Sequence, residues 1–268
     1  MSAREGVLGG THYRRSGAGA PVILIHGVGA DLEMWEPVAA RLAAEHDVLR
    51  YDMQGHGAST KPPGPYHLDG FVDQLRRLAD GLGLPRFVLA GFSMGGLVAQ
   101  AFALAEPARV ERLVLLNTVF DRSAQERAAV EARVREVLDG GHEAGIAAAL
   151  ERWFTPGFHA RRPEAIDAIR RRMESNDLPA YAAAYGLFAT ADQALAAQLG
   201  CIQVPTTVVT GAEDRRSTAA MATAMAEHLP RGRCLIIPGQ RHMTPLEVPR
   251  LVAEIIAGRT AAIDAAAQ

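Results

Sequence analysis

Short apolar runs alternate along the chain with longer stretches of helical period. Residues 22–25, 48–52, 87–90, 113–116, 206–210 and 234–237 read as buried strands. Residues 35–44, 68–82, 97–105 and 221–229 read as helices between them. In the second of these, Phe71, Leu75, Leu78 and Leu82 recur on one face. Alternation of this kind predicts an α/β fold, a mostly parallel sheet with helices on both faces. Such sheets bind ligands beyond the carboxyl ends of their strands, so the loops after Ile25, Asp52, Ala90, Thr210 and Ile237 are the informative ones. Between residues 121 and 199 the alternation stops. That stretch reads as several helices, including 128–138, 146–154 and 163–173, with no good strand. The simplest placement is a helical cap over the strand ends, the alternative being extra helices on the outside. The predicted organisation is a core of residues 1–120 and 200–268 with a cap of residues 121–199. The Ala-rich tail after Arg259 is expected to fray.

The run 87–90 leads directly into Gly91-Phe92-Ser93-Met94-Gly95-Gly96. A strand followed by Gly-x-Ser-x-Gly predicts a nucleophile elbow, a sharp strand-to-helix turn that presents a serine hydroxyl above the sheet edge. The turn is strained, and Gly91 and Gly95 supply the lack of bulk it needs. A serine hydroxyl is a weak nucleophile at neutral pH. It needs a base, and the base needs an orienting acid. Downstream lie Asp214, just past the strand 206–210, and His242, just past the strand 234–237. Ser93, Asp214 and His242 are therefore the candidate triad, in the order serine, acid, histidine. Glu213 and Asp121 are the competing acids. The oxyanion requires N–H donors already in place. The backbone of Met94 and that of Val28, in His26-Gly27-Val28-Gly29, are the candidates. His26 reads as a residue that hydrogen-bonds neighbouring loops.

Composition narrows the partners more than the chemistry. The 268 residues are 49% hydrophobic and 22% charged, with a formal net charge of −2. This is ordinary globular composition, with no electrostatic case for nucleic acid or an anionic membrane. No apolar run approaches bilayer length. The opening Met1-Ser-Ala-Arg-Glu-Gly lacks the apolar core of a secretory signal, so a cytoplasmic enzyme acting on a small molecule is expected. Cys201 and Cys234 read as small buried residues outside any metal-type spacing. Neither a metal nor an organic cofactor is expected.

The landmarks His26-Gly27-Val28-Gly29, Tyr51-Asp52-Met53-Gln54-Gly55-His56-Gly57-Ala58-Ser59, Gly91-Phe92-Ser93-Met94-Gly95, Gly211-Ala212-Glu213-Asp214 and Gly239-Gln240-Arg241-His242 resemble those of α/β-hydrolase-fold enzymes over nearly the whole chain. The resemblance implies Ser93 as nucleophile, Asp214 as acid and His242 as base. Within that superfamily the chain looks most like the 3-oxoadipate enol-lactonase group, including Glu151-Arg152-Trp153-Phe154-Thr155-Pro156 in the cap. It departs at Gln54, where relatives usually carry arginine, and in the acid loop, which lacks the proline often found after the acid. A serine nucleophile argues against dehalogenase and epoxide hydrolase chemistry, where relatives use aspartate.

Enol-lactonase substrates carry a free carboxylate, so the pocket is expected to hold a cation. Arginine suits planar carboxylates. Of the many cap arginines, Arg152 is the candidate, with Trp153 and Phe154 as either pocket roof or cap packing. Phe92 lies either under the acyl group or in the core. The leading reading is hydrolysis of a small carboxylated lactone or ester. The alternatives are an amide such as an aminomethylene-succinate, a C–C bond in a β-dicarbonyl, or a non-catalytic binding protein on the same fold.

Overall fold

The computed structural model describes residues 4–139 and 142–259. Among these residues eight strands form one sheet: β1 (Arg4–Leu8), β2 (Thr11–Gly17), β3 (Ala20–Ile25), β4 (His46–Tyr51), β5 (Phe87–Phe92), β6 (Val110–Leu116), β7 (Thr206–Gly211) and β8 (Gly232–Ile237). Their order is β1-β2-β4-β3-β5-β6-β7-β8. The β1–β2 and β2–β4 pairings are antiparallel, and every pairing from β4 to β8 is parallel. All six apolar runs are strands. β1 and β2 escaped the sequence reading because Thr11–Gly17 is mostly polar and only half-buried. As an edge ribbon it needs no continuous apolar run.

The core helices are α1 (Glu36–Leu42), α2 (Leu68–Gly81) and α3 (Met94–Ala105), and the chain's later helices complete both layers. Side chains alternate across the sheet. Ile23, Ile25 and Leu89 point into one apolar layer with Phe71, Leu75 and Leu78 of α2 and Phe102 of α3. Val22, Leu24 and Val88 point into the other, with Val38 and Leu42 of α1. The predicted helix at 35–44 begins instead with a 3-10 turn over Leu32–Trp35, capped by the Asp31 side chain. Cys234 is half-buried, but Cys201 is exposed, against expectation, in a 3-10 turn before β7.

Between β6 and β7 lie α4 (Ala124–Leu138), α5 (His142–Trp153), α6 (Pro156–Arg161), α7 (Pro163–Glu174) and α8 (Leu178–Ala196). Thr155 and Asp177 cap α6 and α8 by accepting the N–H groups of Phe158 and Ala180. α9 (Ala219–His228) links β7 to β8, and α10 (Thr244–Glu247) and α11 (Pro249–Ile256) follow β8. The long α8 is Ala-rich with no sharp apolar stripe, which hid it from periodicity. The tail expected to fray after Arg259 lies outside the described residues. Among the described residues no helix is long and apolar enough to cross a membrane.

A buried ion pair fastens the insertion at its start. Arg122 Nη2 donates to Asp192 Oδ1 at 2.7 Å, and the Arg122 backbone N–H donates to Asp192 Oδ2 at 2.8 Å. The two side chains are 3% and 1% exposed. Removing one partner of such a pair strands a charge without solvent. Asp192→Ala is expected to lower stability by roughly 3–5 kcal/mol, measured as a shift in the urea midpoint.

Candidate active site

The site begins with a backbone constraint. Ser93 sits between β5 and α3 at φ 52°, ψ −117°, a conformation that L-residues rarely adopt. A Cβ on Gly91 would stand 2.2 Å from the Gly95 carbonyl oxygen, and one on Gly95 would stand 2.4 Å from that of His26. Only glycine permits these approaches. The turn is held from outside as well. Ser93 N–H donates to Leu116 O at 2.8 Å, and Thr118 Oγ1 donates to Ser93 O at 2.8 Å.

Asp214 and His242 meet at the neighbouring strand ends, with Nδ1 and Oδ2 2.7 Å apart. Ser93 and His242 border the same cavity of about 100 Å³. The sheet edge thus gathers all three predicted triad residues. The competing acids stay outside the group. Glu213 faces Arg241 at 3.8 Å, and Asp121 is exposed. Burial acts to raise the Asp214 pKa. It is outweighed by the His242 charge and hydrogen bond, the Arg216 backbone N–H and the Asn117 amide, which hold it below the usual carboxyl value.

Asn117 is the residue that sequence reasoning missed. It ends β6 at φ 48° and is fully buried. Its Nδ2 donates to Asp214 Oδ2 at 3.0 Å, with Thr210 Oγ1 and the Arg241 carbonyl close by. Its Oδ1 accepts from Thr244 Oγ1 at 2.6 Å, and its backbone carbonyl accepts from Ser217 Oγ at 2.7 Å. One amide therefore ties the acid loop to the histidine loop. A polar residue closing an apolar strand, Asn117 after 113–116, was the available signal.

The loop of residues 26–29, expected to receive the oxyanion, runs close to the elbow. A Cβ on Gly27 would stand 3.2 Å from Ser93 Cβ. Val28 borders the cavity beside Ser93, and Met94 opens α3. His26 uses both ring nitrogens on loops: Nδ1 meets Gly27 O at 2.8 Å, and Nε2 accepts from Met53 N–H at 2.9 Å.

The insertion braces this machinery. The Trp153 carbonyl accepts from the backbone N–H groups of His242 and Met243 at 3.0 and 3.2 Å. Arg241 Nη1 donates to the carbonyls of Glu151 and Phe154 at 2.9 and 2.8 Å. The Trp153 and Phe92 rings lie 5.8 and 5.0 Å from the His242 ring. Arg152 and Trp153 line the cavity. Phe154 does not. It is fully buried and stacked on Phe158 at 5.2 Å, so the expectation of a substrate-facing Phe154 is corrected to packing within the insertion. Phe92 is nearly fully buried, edge-on to Trp35, and borders a second, smaller cavity beside Ser93.

Arg133, Arg152 and Arg216 converge on the large cavity. Burial, then Arg133 and Arg216, push the Arg152 guanidinium below its usual pKa. Its buried Nε has no hydrogen-bond partner among the described residues. Glu126, also at the cavity, is turned to the N–H and hydroxyl of Ser123 at the start of α4. Among the described residues no cluster of histidine, cysteine and carboxylate side chains could hold a metal.

This architecture and sheet edge are those of a hydrolase class. The chain belongs to the alpha/beta hydrolase fold family, whose model matches residues 20–249, and it is an enzyme of that kind. It is 35% identical over 241 residues to (E)-2-((N-methylformamido)methylene)succinate hydrolase of Acinetobacter baylyi, covering 90% of each chain. It is 31% identical over 229 residues to 3-oxoadipate enol-lactonase 2 of the same organism, covering 85% of this chain and 84% of that one. The enol-lactonase structure from Burkholderia xenovorans LB400 superposes with a TM-score of 0.84 at 29% identity, covering 96% and 99% of the two chains.

The Asn117–Asp214 contact yields a pH prediction. A folded-state pKa held below the unfolded value stabilises the protein above about pH 3.9, and this is lost as pH falls through the folded value. Asn117→Asp replaces the donor with a second carboxylate. The variant is expected to lose about 2 kcal/mol or more at neutral pH, and the Tm gap to wild type to narrow as pH falls toward about 4, where protonation relieves the repulsion. A pH-independent gap in thermal melts contradicts the contact.

Proposed function

We propose that this chain is a serine hydrolase cleaving an acyl bond in a small dicarboxylate, with residues 121–199 as its cap. The observation that carries the reading is the Asp214–His242 hydrogen bond beside Ser93 on the floor of an arginine-lined cavity. Ser93 Oγ attacks the carbonyl carbon while His242 Nε2 takes its proton. Asp214 orients the imidazole through Nδ1 and balances the charge that forms on it. The oxyanion is received by the N–H groups of Val28 and Met94. His242 then protonates the departing atom, the acyl-enzyme forms, and water, activated by His242, releases the acid and restores Ser93.

The cation count bears on the substrate. In an enol-lactone of 3-oxoadipate, ring closure consumes one of the two carboxyls and leaves a single carboxylate. A methylene-succinate keeps two. Five arginines border the cavity; Arg122 is paired with Asp192 and Glu126 supplies one opposing charge, so that Arg133, Arg152, Arg215 and Arg216 fit two carboxylates better than one. This favours an amide of the aminomethylene-succinate type, the alternative at the level of sequence, over the enol-lactone. The enol-lactonase likeness supports the same acyl chemistry with the monoanion as the second reading.

Both compounds are to be assayed with wild type, Ser93→Ala and Arg152→Gln. The expected result is a kcat/KM of roughly 10⁴ M⁻¹s⁻¹ or more on the succinate amide, exceeding that on the enol-lactone. Ser93→Ala is expected to lower kcat by several orders of magnitude. Arg152→Gln is expected to cost roughly 10- to 100-fold in kcat/KM on the dicarboxylate. Turnover that survives Ser93→Ala would falsify the acyl-enzyme mechanism. A preference for the enol-lactone returns the substrate to the monoanion.

A further inference from the structure

Ser93 stands where two cavities of unlike chemistry meet. Val28, Ser93, Trp153, Met173 and His242 border both. On one side lies the chamber of about 100 Å³ that carries Arg133, Arg152 and Arg216. On the other lies a chamber of about 20 Å³, bordered by Gly27, Ala30, Phe92, Ile169 and Met243, with no charged or hydrogen-bonding side chain among its described lining residues beyond the shared Ser93, Trp153 and His242. Phe92 stands edge-on to Trp35, and a Cβ on Gly27 would come within 3.0 Å of the Phe92 ring and 3.2 Å of Ser93 Cβ, so these walls leave little room to spare. Ile169 and Met173, both buried, come from α7 and close the chamber from the insertion side.

Resting on the hydrolase reading above, we infer that the scissile carbonyl is flanked by two unequal arms: a carboxylate-bearing arm in the arginine chamber and a short uncharged arm in the small apolar one. The small chamber offers nothing to replace the water around a charge or a lone amide, so a polar arm there loses its solvation without compensation. The arginine chamber offers Arg133, Arg152 and Arg216, cations with no ion-pair partner among the described residues. The two environments therefore fix the direction in which the substrate lies across Ser93. The division holds whether the short arm is the acyl group or the leaving group, because both chambers open onto the same hydroxyl. The class of substrate that follows is an acyl compound with carboxylates on one side and a few non-hydrogen atoms on the other.

Half-esters of succinate supply the test, with the carboxylate constant and the alcohol varied. Methyl hydrogen succinate is expected to exceed butyl hydrogen succinate in kcat/KM by roughly tenfold or more, since each misfitting methylene in an apolar pocket carries a penalty of that order. Methyl butyrate, which lacks the charge, is expected to fall below methyl hydrogen succinate by at least a similar factor. Ile169→Ala, which lengthens the small chamber, raises the butyl-to-methyl ratio roughly tenfold, and Ala30→Val, which shortens it, lowers the ratio. The ratio is read within each variant, so a general loss of fold or activity does not move it. Ser93-dependent turnover with a ratio near one, unmoved by both variants, overturns the two-arm inference and leaves the hydrolase reading standing. Ester turnover equal in wild type and Ser93→Ala overturns both.

Discussion

The approach of three backbones at the carboxyl edge of the sheet is the constraint on which the rest depends. β5 can turn into α3 only because Gly91 and Gly95 let the turn close on itself and on the end of β3. The consequence is a serine at φ 52°, a conformation costing about 1–3 kcal/mol, held by the hydrogen bond its N–H donates to Leu116 O and the one its carbonyl accepts from Thr118 Oγ1. Strain of this kind persists where the surroundings over-determine it. Parallel strands buried on both faces provide that rigidity, because neither β3 nor β6 can shift without exposing a row of apolar side chains.

The second requirement is that loops from three different strand ends agree to within a hydrogen bond. Asn117 meets it from below, since its amide reaches the acid loop and the histidine loop from the end of β6. The insertion meets it from above. The carbonyls at the C-terminal end of α5 accept from Arg241, His242 and Met243, where a cation and N–H donors complement the helix dipole. On the opposite side, Asn176 Nδ2 donates to Gly29 O at 2.9 Å and steadies the loop of residues 26–29. The insertion is therefore a brace as well as a cover. Its residues 151–154 touch the histidine loop and, through Arg152 and Trp153, the cavity.

Much of this was legible in the chain because the signals were local. Six apolar runs gave six strands, and Ser93, Asp214 and His242 were each found by standing just past one of them. What stayed hidden was whatever depends on three-dimensional partners. The ribbon of β1 and β2 is polar and takes its place by pairing with β4 rather than by burying a face. Asn117 went unread because its partners lie about a hundred positions away. Adjacent residues Arg152, Trp153 and Phe154 sit at a helix end, where the chain turns. Two face the cavity and the third enters the packing against Phe158. Sequence adjacency carries no information about that division.

Arg133, Arg152 and Arg216, which have no ion-pair partner among the described residues, acquire under the proposed reading a use that offsets their cost. Holding Arg152 partly buried beside Arg133 and Arg216, with Nε unpartnered among the described residues, carries a cost in stability. On the proposed reading a carboxylate removes the repulsion and the unmet hydrogen bond together, so its binding would draw on energy already stored in the fold. Anchoring at a distance from the scissile carbonyl accelerates a reaction only if it orients the reacting atoms. The proposed anchor, Arg152, is on α5, and the carbonyls at the end of that same helix hold the histidine loop. The group proposed to grip the carboxylate and the loop carrying the group proposed to move the proton are therefore tied to one element, through which charge recognition would position the carbonyl over Ser93.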